Sequence, residues 1–285
     1  MVEVRGLSTL ARFARAVDRP EASIDLGEAA LTIAMDVYRD LDVEAYLRRL
    51  DAFAEPLRDR VDSATSLPAA VDALNGHLFG DLGFRGNAED YYDPRNSYLN
   101  EVLDRRTGIP ITLSVVYMEV ARRLGVDVVG IGLPGHFIVE ARGHEQSVLL
   151  DPFRGGEPLT LEDCERLVSD VYGGAMPFAE ESLEPVGKRQ ILSRMLNNLK
   201  MTYLPEGDGD RAWPVVEKLV HLDPESAIDR RDRGLLAHRR NLFASARDDL
   251  RFYLARRSDA PDRDTILASL RAVESILSVM DDGPA

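Results

Sequence analysis

The stretch from Pro110 to Phe153 constrains this chain more than any other. It opens with PITLSVVYMEVARRL, an apolar run of helical length, and stops at Gly125. Proline suits a first helical turn, where no amide donor is needed, and glycine suits the stop. Three short runs follow, VDVVGIGL, HFIVEAR and SVLLDPF, each β-branched and bounded by Gly or Pro. That is the signature of strands in one sheet. A helix-rich N-terminus, one buried helix and then an antiparallel sheet make an α+β layout.

The segments on either side read as helices. From Val43 to Val61 the apolar positions are Val43, Tyr46, Leu47, Leu50, Phe53, Ala54, Leu57 and Val61. This three-to-four spacing predicts one amphipathic helix. Asp25 to Met35 and Leu67 to Phe79 are similar, with Ser66-Leu67-Pro68 as a helix start. Gly80 to Asn100 is rich in Gly, Asn, Asp and Tyr and predicts turns and ordered loops. Gly83, Gly86, Gly155 and Gly156 lack phosphate-loop spacing and are expected in turns. The Tyr91-Tyr92 pair is expected in the core rather than on a cleft wall.

The last third repeats. Setting Ser193 as position 1 of a 34-residue unit puts Leu199 at 7, Gly207 at 15, Ala212 at 20 and Pro224 at 32. The next unit starts at Ala227 and puts Gly234 at 8, Ala246 at 20 and Leu250 at 24. Small residues let paired helices approach closely, and proline ends the second helix. This is the tetratricopeptide (TPR) pattern. A third helix, Asp264 to Met280, is expected to cap the stack.

Composition narrows the function classes. Forty-nine acidic against 35 basic residues leave a formal charge of −14. That argues against nucleic-acid or anionic-membrane partners, which require cations to neutralise phosphate, although Arg230, Arg231, Arg233, Arg239 and Arg240 gather in one segment. One cysteine, Cys164, forms neither an internal disulfide nor a multi-thiolate metal site. His136 and His144 are expected at opposite ends of a strand, so no metal and no cofactor are expected. No signal peptide is visible, and no window reaches the roughly 18 to 20 apolar residues that span a bilayer. The expectation is a soluble, cytoplasmic protein.

YYDPRNSYLNEVLDRRTGIPITL, LPGHFIVEA and LDPFRGG, in this order, resemble the SirB-type bacterial transglutaminase-like proteins, a branch of the papain-type superfamily. The resemblance implies a helical N-terminal segment over 1–80, a transglutaminase-like core over 81–187 and TPR-like repeats over 188–285. It also implies a Cys-His-Asp site: a Cys at the start of the buried helix, a His opening the next strand and an Asp closing the following one. His136 and Asp151 match the second and third members. At the first stands Pro110, which has no nucleophile. Ser114, four residues on, shares that helix face, whereas Thr112 points roughly 160° away. Cys164, expected on a helix capped by Thr160, reads as a small buried residue.

Two functions follow as expectations. The first is a non-catalytic scaffold, a pseudoenzyme whose TPR-like helices bind protein or peptide. The alternative is a hydrolase or acyltransferase using Ser114, or another nucleophile, with His136 and Asp151.

Overall fold

A computed structural model describes residues 8–144 and 146–281. The chain divides into two compact units, residues 15–198 and residues 1–14 with 199–285. The divisions fall within helices α1 (Thr9–Val17) and α9 (Lys188–Tyr203). No helix among the described residues is long and apolar enough to cross a membrane.

The unit over 15–198 begins with helices α2 (Leu26–Ala34), α3 (Val43–Ala54), α4 (Arg58–Asp62) and α5 (Leu67–Asn75). Asp25, Asp42 and Ser66 cap α2, α3 and α5 by accepting amide hydrogen bonds, as short polar side chains do at helix starts. The single helix expected over Val43–Val61 is broken. Pro56 sits in a 3-10 turn, Glu55–Leu57, because its ring excludes a continuous α-helical ladder. The helix expected to reach Phe79 leaves α geometry at Asn75 and continues as a π-helical turn, Gly76–Asp81.

Gly80 to Asn100 is an ordered connection, as its composition implied, but it also holds β1 (Arg85–Gly86), a 3-10 turn (Pro94–Asn96) and the start of α6 (Leu99–Arg105). β1 pairs in parallel with β2 (Thr107–Gly108). Next comes α7 (Pro110–Arg123), with Pro110 in its first turn and Gly125 at φ 72° beyond its end. Eleven of its residues are buried, so it is the central helix of this unit.

Strands β3 (Asp127–Ile131), β4 (Ile138–Arg142), β5 (Ser147–Asp151) and β6 (Glu157–Leu159) form an antiparallel sheet in that order. β6 was not legible in the sequence, since GEPLT has no β-branched run. Helix α8 (Leu161–Tyr172) packs Cys164, Leu167 and Val168 against Ile131, Leu133 and Ile138. α7 packs against β3 and β4.

The other unit holds the repeat helices α10 (Gly209–Leu222), α11 (Ala227–Arg239), α12 (Phe243–Arg256) and α13 (Arg263–Asp281). The small residues expected at helix contacts are there. Ala212 and Ala246 are fully buried, and a Cβ added at Gly234 would lie 2.9 Å from Leu250 Cδ2. Ala246 packs with Ala237 and Val273, under Trp213, Phe243 and Leu277. Replacing Ala246 by leucine should therefore cost about 1 to 3 kcal/mol by overpacking. An unchanged denaturant midpoint for that variant would show that the helices do not meet there.

Four of the five clustered arginines are engaged in ion pairs, and Arg239 has none among the described residues. Arg230 and Arg233 both pair with the buried Asp249, Arg231 with Asp232 and Asp262, and Arg240 with Asp210. These ion pairs consume charge that a phosphate backbone would need.

Candidate functional site

The β3–β4 hairpin closes with Ile131 opposite Ile138, so the intervening residues form a turn. His136 lies in this turn, two residues before β4, not at the strand's first position as expected. Its amide donates to Leu133 O at 3.2 Å. Gly135 makes the turn possible: its φ is 72°, and a Cβ there would strike Val171 at 2.5 Å. Asp151 ends β5 and is fully buried.

These two residues meet. His136 Nε2 lies 2.9 Å from Asp151 Oδ2, and Asp151 Oδ1 accepts the amide of Phe153 at 2.9 Å. Arg154 Nε stands 3.7 Å from Asp151 Oδ2. With Nε2–H donating to the carboxylate, the imidazole keeps its Nδ1 lone pair for a proton. An acidic partner of this kind holds the ring in one tautomer and one orientation.

Ser114 and Cys164 are not joined to this pair by any described hydrogen bond. Ser114 is fully buried on α7, and its Oγ has no hydrogen-bond partner among the described residues. Thr112 is buried too, and its hydroxyl is committed. It accepts from Ile109 N at 3.1 Å and donates to Asn96 O at 2.7 Å. Asn96 in turn donates to Asp90 O and accepts from Asn87, so the helix start and the 87–97 loop are tied together. Pro110, buried, occupies the helix's first turn.

Cys164 lies on α8 under the Thr160 cap, as expected, and is fully buried. Burial, reinforced by the carboxylates of Asp163 and Asp151, pushes its thiol up to about 11. A thiol raised in the folded state favours folding while it stays neutral. That contribution is intact below the ordinary thiol range and is lost as pH rises towards about 11. The native protein should therefore resist iodoacetamide at pH 8 and react fully once unfolded. Rapid native alkylation at pH 8 would show an open, activated thiol.

Several residues at the site escaped the sequence reading. Phe153 packs edge-on to His136 at 6.1 Å, and Tyr91 packs edge-on to Phe153 at 6.2 Å. Tyr91 and Tyr92 are not core residues: they are 36% and 76% exposed and form an aromatic wall leading to the imidazole. The core expectation fails: each ring packs edge-on against a neighbouring ring, Tyr92 on Tyr91 and Tyr91 on Phe153, while leaving its other side exposed. Arg194, on α9, donates to the carbonyls of Leu133 and His136 and lies over the Phe137 ring at 5.4 Å. Burial holds its pKa below the usual guanidinium range. LDPF pointed to Phe153 by adjacency, whereas nothing local pointed to Arg194.

A buried helix start, a histidine in the turn before β4 paired with an aspartate at the end of β5, and helical repeats define a transglutaminase-like protein with TPR helices. A profile of the transglutaminase-like superfamily matches residues 44–197, and a tetratricopeptide-repeat profile matches residues 199–271. The UPF0162 protein of Xylella fastidiosa strain 9a5c is 40% identical over 241 residues, covering 82% of this chain and 84% of that one. The chain belongs to the UPF0162 family of transglutaminase-like proteins. Mouse F-box only protein 21 is 37% identical over 137 residues, 45% of this chain and 21% of its own length. Among solved structures, menin superimposes with a TM-score of 0.40 at 10% identity, over 86% of this chain and 68% of that one.

Proposed function

We propose that this protein is a non-catalytic transglutaminase-like scaffold of the SirB type, working in the cytoplasm, whose TPR helices hold a protein or peptide. In this reading residues 1–80 support the core, 81–187 carry the relict site, and 188–285 form the binding repeats. The His136–Asp151 pair is the remnant of a triad. It ties the end of β5 to the turn before β4. Nucleic acid is not the partner, given the charge of −14 and the internally paired arginines.

One observation carries the reading: α7 begins with Pro110, and in the transglutaminase resemblance the nucleophilic thiol stands at the start of this helix. A serine hydrolase or acyltransferase requires a hydroxyl that substrate can reach and that the imidazole can deprotonate. The complete burial of Ser114 and its lack of any hydrogen bond to His136 weigh against that alternative.

The test is active-site labelling of the full chain with a fluorophosphonate and a chloroacetamide probe. No labelling that depends on His136 is expected in the native protein. Stoichiometric labelling of Ser114, abolished by His136→Ala, would replace the scaffold with an enzyme.

A further inference from the structure

A second cleft lies along the other end of α7, away from Pro110. It has a volume of about 680 Å³. Met118, Arg122 and the open side of β3 line it, together with Leu26, Val186 and Lys188. The volume falls within the roughly 300 to 1,000 Å³ of ordinary ligand clefts.

Strand β3 is the edge of its sheet, with β4 on one side only. Register decides which backbone groups face outward. Val186 N donates to Gly130 O at 2.9 Å from the side opposite β4, so Gly130 points away from the sheet. Outward-facing residues alternate in an antiparallel pair. Val128, two residues back, therefore also directs its N–H and C=O outward, into the cleft. The chain's own Pro185–Val186 segment already occupies the first part of this edge, with Ile131 bridged antiparallel to Pro185. At Gly187 it turns away into α9, and the edge beyond it stays open.

The charges around the cleft specify what fits. Glu119 is matched by Arg122 and Arg123, at 2.9 and 2.6 Å. Glu21 is matched by Arg189 at 2.8 Å, and Lys188 Nζ donates to Ile24 O at 2.6 Å. Asp127, exposed at the start of β3, is met by no cation among the described residues. Among the described residues the wall thus joins an apolar surface and an open peptide edge to two charges without a counter-ion: the Asp127 carboxylate at the start of β3 and the Lys188 ammonium, which only carbonyl groups hold.

We propose that this edge docks a short extended segment of a partner protein, aliphatic in sequence and carrying a Lys or Arg beside the aliphatic run. The guest strand continues the line of Pro185–Val186. It exchanges main-chain hydrogen bonds with Val128, seats an aliphatic side chain among Leu26, Met118 and Val186, and sets its cation against Asp127. Strand addition of this kind takes affinity from the main chain and specificity from alternate side chains. The site is independent of the His136–Asp151 pair.

The test uses the ¹⁵N-labelled full chain titrated with the blocked peptide Ac-Lys-Val-Val-Val-NH₂ to millimolar concentration, monitored by amide chemical shifts. Saturable shifts are expected at Val128 and Gly130, with the His136 amide unmoved. Val128→Pro removes the outward N–H while sparing the β4 pairing, and should abolish the shifts. Asp127→Asn should weaken binding by about two- to fivefold at low salt, the scale of one exposed ion pair. A probe N-methylated at its central valine should fail on the unaltered protein, which keeps the test decisive if Val128→Pro does not fold. Absence of saturable shifts would overturn the proposal, as would equal binding of the N-methylated probe or shifts centred on His136. Occupation of the cleft by anilinonaphthalene sulfonate but not by the peptide would also overturn it, in favour of a small apolar ligand.

Discussion

Cysteine introduced by Pro110→Cys, in a Cys164→Ala background, should alkylate at neutral pH at least about tenfold faster than an ordinary thiol, since helix-terminal thiols beside an imidazole fall to pKa values of about 3.5 to 7.5. The position starts α7, where the unpaired amides of a 14-residue helix supply positive potential. α7 also packs against the Pro152–Arg154 turn that follows Asp151, and Phe153 of that turn touches His136. A thiolate formed there would be stabilised by the helix end and by a protonated imidazole, both of which favour the charged form. Reactivity should titrate near or below pH 7, and His136→Ala should shift it upward. Replacing proline frees the unfolded backbone and should cost only about 0.4 to 1 kcal/mol, so the variant should fold. Alkylation that rises only near the ordinary thiol value of about 8.5 and ignores His136 would show that Pro110 does not occupy a nucleophile position.

The largest stability effect is expected from Lys200. It stands at position 8 of the first repeat, where the second repeat has Gly234. The structure resolves this exchange: the Lys200 ammonium lies 2.6 Å from Asp229 Oδ1 and 3.3 Å from Asp232 Oδ2, with all three side chains largely buried. Ser226 Oγ donates to Asp229 Oδ2 at 2.7 Å, completing the cluster. Lys200→Met would leave the buried Asp229 carboxylate without a cation, while Asp232 keeps Arg231 at 2.7 Å. Removing one partner of a buried pair costs about 3 to 5 kcal/mol, because the other charge stays desolvated. For a protein of this size that corresponds to a Tm lower by roughly 10 °C. Adding Asp229→Asn should recover most of the loss, since no buried carboxylate is then left without a cation. A Tm change no larger than that of the exposed Arg48→Met would show that the cluster contributes nothing.

Much of this fold could be read locally. The helix Pro110–Arg123, the three strands after it and the repeat register are encoded by neighbours a few residues apart: a proline that needs no amide donor, a glycine past the helix end, β-branched runs, small residues at fixed intervals. The Cys164 helix and its Thr160 cap were legible for the same reason. Where one local signal masked another, the reading failed. Apolar spacing from Val43 to Val61 concealed the break that Pro56 imposes, and the same spacing concealed the π-helical turn after Asn75.

The sequence alone determined that a histidine and an aspartate flank adjacent strands and that a proline opens the buried helix before them. Only the tertiary structure decided what those residues face. Ser114 shares the helix face of Pro110 in any helical reading, but whether its hydroxyl is open or sealed depends on what packs over it. Tyr91 reaches the site through Phe153, 62 residues away in sequence and 6.2 Å away between rings. Arg194 holds the His136 turn from 58 residues downstream, through carbonyl groups that every residue carries. Backbone acceptors leave no mark on side-chain identity, so a contact made to them is invisible until the chain has folded.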